Sequence, residues 1–200
     1  MSFDVNKVID ELKKANPNGF ILESHLQVEF GYAIKRAYPK AEIVFEYPFV
    51  MKGHNKRMDI RATIKGEKDE NIGFEFKYFT KEQELELKEY FIVPLKNQVC
   101  KDLHRIGFWK DIEKMEHVIK QNLIEEGYCI LLTNDVTIFN PVKATNNDKD
   151  YDISKGLKPG KKHLTYSGKP QHDVLLSKID YSLDHSPYSQ DLEIMCVPVK

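Results

Sequence analysis

Asp59 and the pair Glu75 and Lys77 stand in two short segments, MDIRATI and IGFEFK, where carboxylates and an amine interrupt apolar runs. Carboxylates of this kind bind hard cations, and an amine beside them offsets negative charge. On the solvated face of a hairpin the same charges do no chemistry. Side chains alternate along a strand. The odd positions Asp59, Arg61, Thr63, Gly73, Glu75 and Lys77 therefore share one side, and Met58, Ile60, Ile72, Phe74 and Phe76 the other. Between them Gly66 to Asn71, rich in charge and turn formers, predicts a hairpin loop and antiparallel pairing. Any odd-to-odd register, such as Asp59 opposite Lys77 or Arg61 opposite Glu75, gathers the charges on one face and leaves a core face behind. Spacing alone permits a shared site and equally a solvated patch.

The flanking elements must decide. Val5, Val8, Ile9 and Leu12 recur at helical spacing, and Pro17-Asn18-Gly19 ends that first helix. In a second helix Ser24 and Gln27 have the spacing of a capping box, and Leu26, Phe30, Ala33, Ile34 and Ala37 make the apolar stripe, with Glu29 just beside it. Ala41 to Phe49 reads as a strand, followed by the charged hairpin over 58–64 and 72–78. The chain is then expected to return to helix. Val99, Leu103 and Ile106 form one stripe and Phe108, Ile112, Met115 and Ile119 another, with Gly107 as a kink between them. Gln98, Lys101, Asp102 and Arg105 make a polar stripe of the kind normally solvated. Tyr128 to Leu132 reads as a strand buried on both faces, 140–162 as a long polar loop, and Leu192 to Val199 as a last strand.

Length and composition bound the function classes. Two hundred residues, 41% apolar and 11% aromatic, suit one domain over 1–200, with a core at about 20–135, an N-terminal helix within 1–18 and a less legible extension over 140–200. No apolar run reaches the roughly 18 residues of a membrane span, so a soluble, cytoplasmic protein with no membrane partner is expected. Cys100, Cys129 and Cys196 are too few and too scattered for a disulfide framework or a cysteine zinc site. Cys100 and His104, one helical turn apart, lack the second pair a metal site needs. A net charge of −1 excludes a surface that is basic throughout and leaves only local basic segments, Lys52 to Arg61 and Lys155 to Lys162.

Helix with a Glu, strand, strand with an Asp, strand with Glu-x-Lys, helix, strand: from about Ser24 to Asp135 this order resembles the PD-(D/E)XK nuclease superfamily. The residues that carry the resemblance are Glu29, Asp59 in MDI, and Glu75 and Lys77 in FEFK. The proline of the family's name is absent, Met58 standing before Asp59, but that proline is often missing in the superfamily and its loss removes no ligand. The resemblance implies an α/β restriction-endonuclease-like fold, a mixed β-sheet with an α-β-β-β-α-β core flanked by helices. It further implies a nuclease that hydrolyses phosphodiester bonds, in DNA, with Mg²⁺ as cofactor and Mn²⁺ as a substitute. Asp59, Glu75 and the main-chain carbonyl of Phe76 would hold the ion, and Glu29 would orient water or hold a second one. Lys77 would stabilise charge in the transition state, and Gln98 would orient water or phosphate. Glu23 and Glu46 compete with Glu29 and read as structural. Lys56, Arg57, Arg61, Lys101 and Arg105 are the candidate contacts to nucleic acid, and a homodimer would serve if both strands are cut. The alternative is a non-catalytic module of the same fold that binds nucleic acid or protein.

Overall fold

The computed structural model describes residues 2–88, 91–167 and 169–200. The apolar spacing of the first helix forms α1 (Val5–Ala15), capped by the Asp4 carboxylate, which accepts from Asn6 N–H at 2.9 Å. The expected stripe of Leu26, Phe30, Ala33, Ile34 and Ala37 is buried in α2 (Glu23–Ala37). Its start differs from expectation. Leu22 is the N-cap and makes no side-chain bond, Ser24 lies inside the helix, and Glu23 is the first helical residue.

The chain continues through β1 (Glu42–Met51), β2 (His54–Ile64), β3 (Glu70–Phe79), a separate hairpin of β4 (Gln83–Lys88) and β5 (Phe91–Leu95), α3 (Lys101–Lys120) and β6 (Glu126–Thr133). Beyond β6, β7 (Gly156–Pro159) pairs with β10 (Asp180–Leu183) and β8 (His163–Leu164) with β9 (Val174–Leu175). β11 (His185–Pro187) and β12 (Glu193–Val199) join the main sheet, whose order is β1-β2-β3-β6-β12-β11. Within that sheet, among the described residues, only the β3–β6 pair is parallel. The fold is thus mixed α/β, a six-stranded mixed sheet with three α-helices among the described residues. Among those residues no helix is long and apolar enough to cross a membrane.

Both faces of the sheet are covered. α1 and α2 pack with Ile60, Phe74, Phe76 and Tyr78 on one side, and α3 with Tyr151, Leu164 and Val174 of the C-terminal segment packs on the other. The odd face of β3 is therefore interior, not the solvent-facing patch a lone hairpin would present. α3 comes close because Gly73 and Gly127 lie beneath it. A Cβ at Gly73 would stand 2.5 Å from Met58 Sδ, and one at Gly127 2.7 Å from Met115 Sδ.

α3 buries Phe108, Ile112 and Met115 as expected, but it runs unbroken through Gly107 and leaves Val99 and Leu103 exposed, so the first stripe and the kink do not hold. The polar stripe is not solvated either. Arg105, 8% exposed, donates to Ile138 O and to Asp148, each at 3.1 Å, while Asp102 accepts from Tyr166 O–H at 2.9 Å. These bonds fasten the C-terminal segment to α3, and 140–162, expected as a loop, carries a 3₁₀ turn at Lys149–Tyr151 and β7.

Candidate active site

The site lies where β2 leaves β3. Pairing runs from Ile64↔Glu70 to Ile60↔Phe74 and stops, so the second half of β3 has a free edge on that side. Odd positions do face odd positions, as expected, but in a register with Arg61 opposite Gly73, two residues from either expected example. Asp59 and Glu75 fall beside each other just past the last pair. β2 is irregular here, since Phe45↔Ile60 and Tyr47↔Met58 pair with β1 but Glu46 and Asp59 between them do not, and Glu46 takes φ +52. The interruption turns Met58 toward α3 while Ile60 faces α2, so Met58 does not share a face with Ile60 as strict alternation requires.

Three side chains supply the acceptors that β2 no longer provides. Phe76 N–H donates to Asp59 Oδ2 at 2.8 Å, Tyr78 N–H to Glu23 Oε2 at 2.9 Å, and Thr80 N–H to Gln98 Oε1 at 3.3 Å. An unpaired buried amide is costly, so this edge fixes where the three side chains sit. Gln98 precedes α3 and does not begin it, held by its own N–H to Thr80 O at 2.8 Å. Glu23, Lys77, Gln98 and His104 line an open cleft of about 540 Å³.

Glu29 is not brought to this place. Its carboxylate accepts from Asn16 at 3.0 Å, near the end of α1. Six residues of helix rotate a side chain by about 240°, so Glu23 and Glu29 cannot serve one point, and Glu23 holds the position expected of Glu29.

α3 supplies two residues that the sequence reading missed. Lys77 Nζ stands 2.7 Å from Asp111 Oδ2 and donates to Phe76 O at 3.2 Å. Lys114 Nζ donates to Glu75 Oε2 in a close contact and to Arg57 O at 3.2 Å, and stands 3.8 Å from Asp111 Oδ1. The Lys77–Asp111 contact is short but not angled as a hydrogen bond, which leaves Asp111 Oδ2 buried without a donor. A signal was available, because Asp111 and Lys114 lie among the apolar positions Phe108, Ile112 and Met115 of one buried helix face.

Four carboxylates, Glu23, Asp59, Glu75 and Asp111, thus meet two ammoniums, Lys77 and Lys114. Glu75 is 1% exposed and Asp111 6%. Burial, then Asp111, holds the Glu75 carboxyl well above its ordinary range against the pull of Lys114. Burial also raises Asp59 and Glu23. For Lys77, burial works against the charge but Asp111, then Glu23 and Glu75, outweigh it, and its pKa rises; Lys114 is raised by Glu75 and Asp111 over the same opposition. A carboxyl raised in the folded state binds a proton more tightly than in the unfolded chain, so its contribution to stability falls as pH climbs from about its ordinary 4.5 through the folded value. Metal-free Glu75→Gln lacks that loss. Its melting temperature relative to wild type is expected to rise between pH 5 and pH 8 in EDTA, and a fall over that interval would show that Glu75 is not held above its ordinary value.

Of the basic residues expected to meet nucleic acid, Lys56 and Arg57 are exposed, Arg57 with Glu46 at 3.6 Å. The other three are engaged within the chain. Arg61 donates to Asn71 Oδ1 at 2.8 Å and to Leu123 O at 3.2 Å, Lys101 pairs with Asp135 at 2.8 Å, and Arg105 is the buried clamp described above. Lys56 also lines a second cleft of about 340 Å³ of mixed charge, with His54, Lys110 and Lys114 beside Asp111, Glu113 and Asp173.

No family model, curated protein or solved structure matches the chain.

Proposed function

We propose that the chain is a divalent-metal-dependent nuclease of the PD-(D/E)XK superfamily, with its restriction-endonuclease-like fold, hydrolysing phosphodiester bonds in DNA. The observation that carries the reading is the free edge of β3, where Asp59, Glu75 and Phe76 O converge with Lys77 beside them. Among the described residues no group of three or more His, Cys, Asp and Glu would enclose a metal by itself. Mg²⁺ asks for less, one or two carboxylates with the remaining positions left to water and substrate phosphate, so this donor set suits it.

When bound, the ion would supply hydroxide from water and offset charge on the phosphate. The chain's own residues do the rest. Asp59, Glu75 and Phe76 O would hold the ion, Lys77 stabilises charge developing on the phosphate, and Asp111 positions the Lys77 ammonium at 2.7 Å. Glu23 and Gln98, each tied to a β3 amide, orient water on the cleft side. Lys56 and Lys110 offer cations, and His54 a polar ring, to the backbone of the nucleic acid.

Purified protein is to be incubated with single- and double-stranded DNA and RNA in Mg²⁺, Mn²⁺ and EDTA, with Asp59→Asn alongside. Cleavage of DNA in either metal, lost in EDTA and in the variant, is the expected result. Equal cleavage by Asp59→Asn would trace the activity elsewhere. Saturable Mn²⁺ binding with no cleavage of any substrate would assign the chain to the non-catalytic, binding-module alternative.

A further inference from the structure

We propose that Lys114 is a tethered counter-ion that occupies the metal position on Glu75 and is displaced into the neighbouring lysine-bearing cleft when a divalent cation binds. This rests on the nuclease reading only in taking Glu75 as a ligand. Glu75 is 1% exposed, and its Oε2 already accepts from the Lys114 ammonium in a close contact. On that oxygen an ammonium and a hard cation would compete for the same charge. At contact distance a divalent ion and an ammonium repel strongly, and the surroundings screen them little.

The geometry also gives the ammonium somewhere to go. Lys114 lines the cleft of about 340 Å³ shared with Lys56, Lys110, Glu113 and Asp173, where Arg57 O at 3.2 Å and Asp111 Oδ1 at 3.8 Å remain as its partners. When all four carboxylates are ionised they exceed Lys77 and Lys114 by two negative charges, which one divalent cation would offset. Metal binding therefore exchanges one cation for another on Glu75 and turns the released ammonium toward the place where a phosphodiester backbone would pass.

Two measurements test this on the intact chain. Lys114→Met keeps the apolar stem and removes the competing charge. Mn²⁺, followed by calorimetry, is expected to bind this variant at least about tenfold more tightly than wild type, while its metal-free melting temperature falls because Glu75 and Asp111 have lost a partner. Equal or weaker Mn²⁺ binding by the variant, with wild type binding normally, would overturn the exchange and leave the nuclease reading standing. Failure of both proteins to bind Mn²⁺ would overturn both. Should the variant not fold, acylation of lysine amines in the wild type, read by mass spectrometry, gives the second test. Saturating Mg²⁺ is expected to raise the labelling of Lys114 several-fold, with no such rise in Asp59→Asn. Unchanged labelling of Lys114 in wild type saturated with Mg²⁺ would overturn the proposal.

Discussion

Lys77→Met is expected to slow DNA cleavage by about two orders of magnitude or more, the scale on which one stabiliser of transition-state charge acts. The fold is expected to survive for a local reason. The stem of Lys77 crosses α3 at Gly107, where even a Cβ would stand 3.3 Å from Lys77 Cε, and methionine retains that apolar stem. Asp111 loses its nearest cation but keeps Lys114 at 3.8 Å. Metal binding is expected to hold or tighten, because a positive charge beside the ligands has gone while Asp59, Glu75 and Phe76 O remain. Three readings are needed on the same preparation: circular dichroism for folding, Mn²⁺ affinity, and cleavage rate. Activity within a few-fold of wild type, with metal binding intact, would remove Lys77 from the mechanism and with it the main support for a nuclease.

Exchanging the helix carboxylates gives the second large contrast. In Glu23→Gln the amide oxygen can still accept from Tyr78 N–H, so the edge of β3 stays satisfied while the charge is lost. Cleavage is expected to fall by about 10- to 100-fold, the range for groups that orient a metal site. Glu29→Gln alters a carboxylate bonded to Asn16 near the end of α1, away from the β3 edge, and is expected to leave cleavage unchanged. A loss confined to Glu29→Gln would mean that the helix serves the site through its other face and that Glu23 only caps an amide.

Hydrophobic spacing made several parts of the molecule legible. The stripes of α1 and α2, the strands on either side of Gly66 to Asn71, and the odd-to-odd parity of the β2–β3 pairing, though not its register, follow from periods of 3.6 and 2 that depend on the local backbone alone. The β4–β5 hairpin was missed, although the sequence alternates from Glu84 to Leu87 and Leu85 is buried, because a short charged strand resembles helix surface in composition. Capping chemistry misled at α2, where Ser24 and Gln27 have the right spacing but the N-cap is Leu22, two residues earlier.

By itself the sequence determined that Asp59, Glu75 and Lys77 lie on neighbouring strands with their charges near one another. Only the tertiary structure decided which helix residues join them. Glu23 enters because β2 leaves β3 at Ile60↔Phe74 and the exposed Tyr78 amide needs an acceptor, while Asp111 and Lys114 enter because α3 settles over Gly73 and Gly127. A strand's alternation is a property of consecutive bonds. Where one strand ends its pairing and how closely a helix approaches are set by contacts between distant segments, such as residues 55 positions apart for Glu23 and Tyr78, and local spacing holds no information about them.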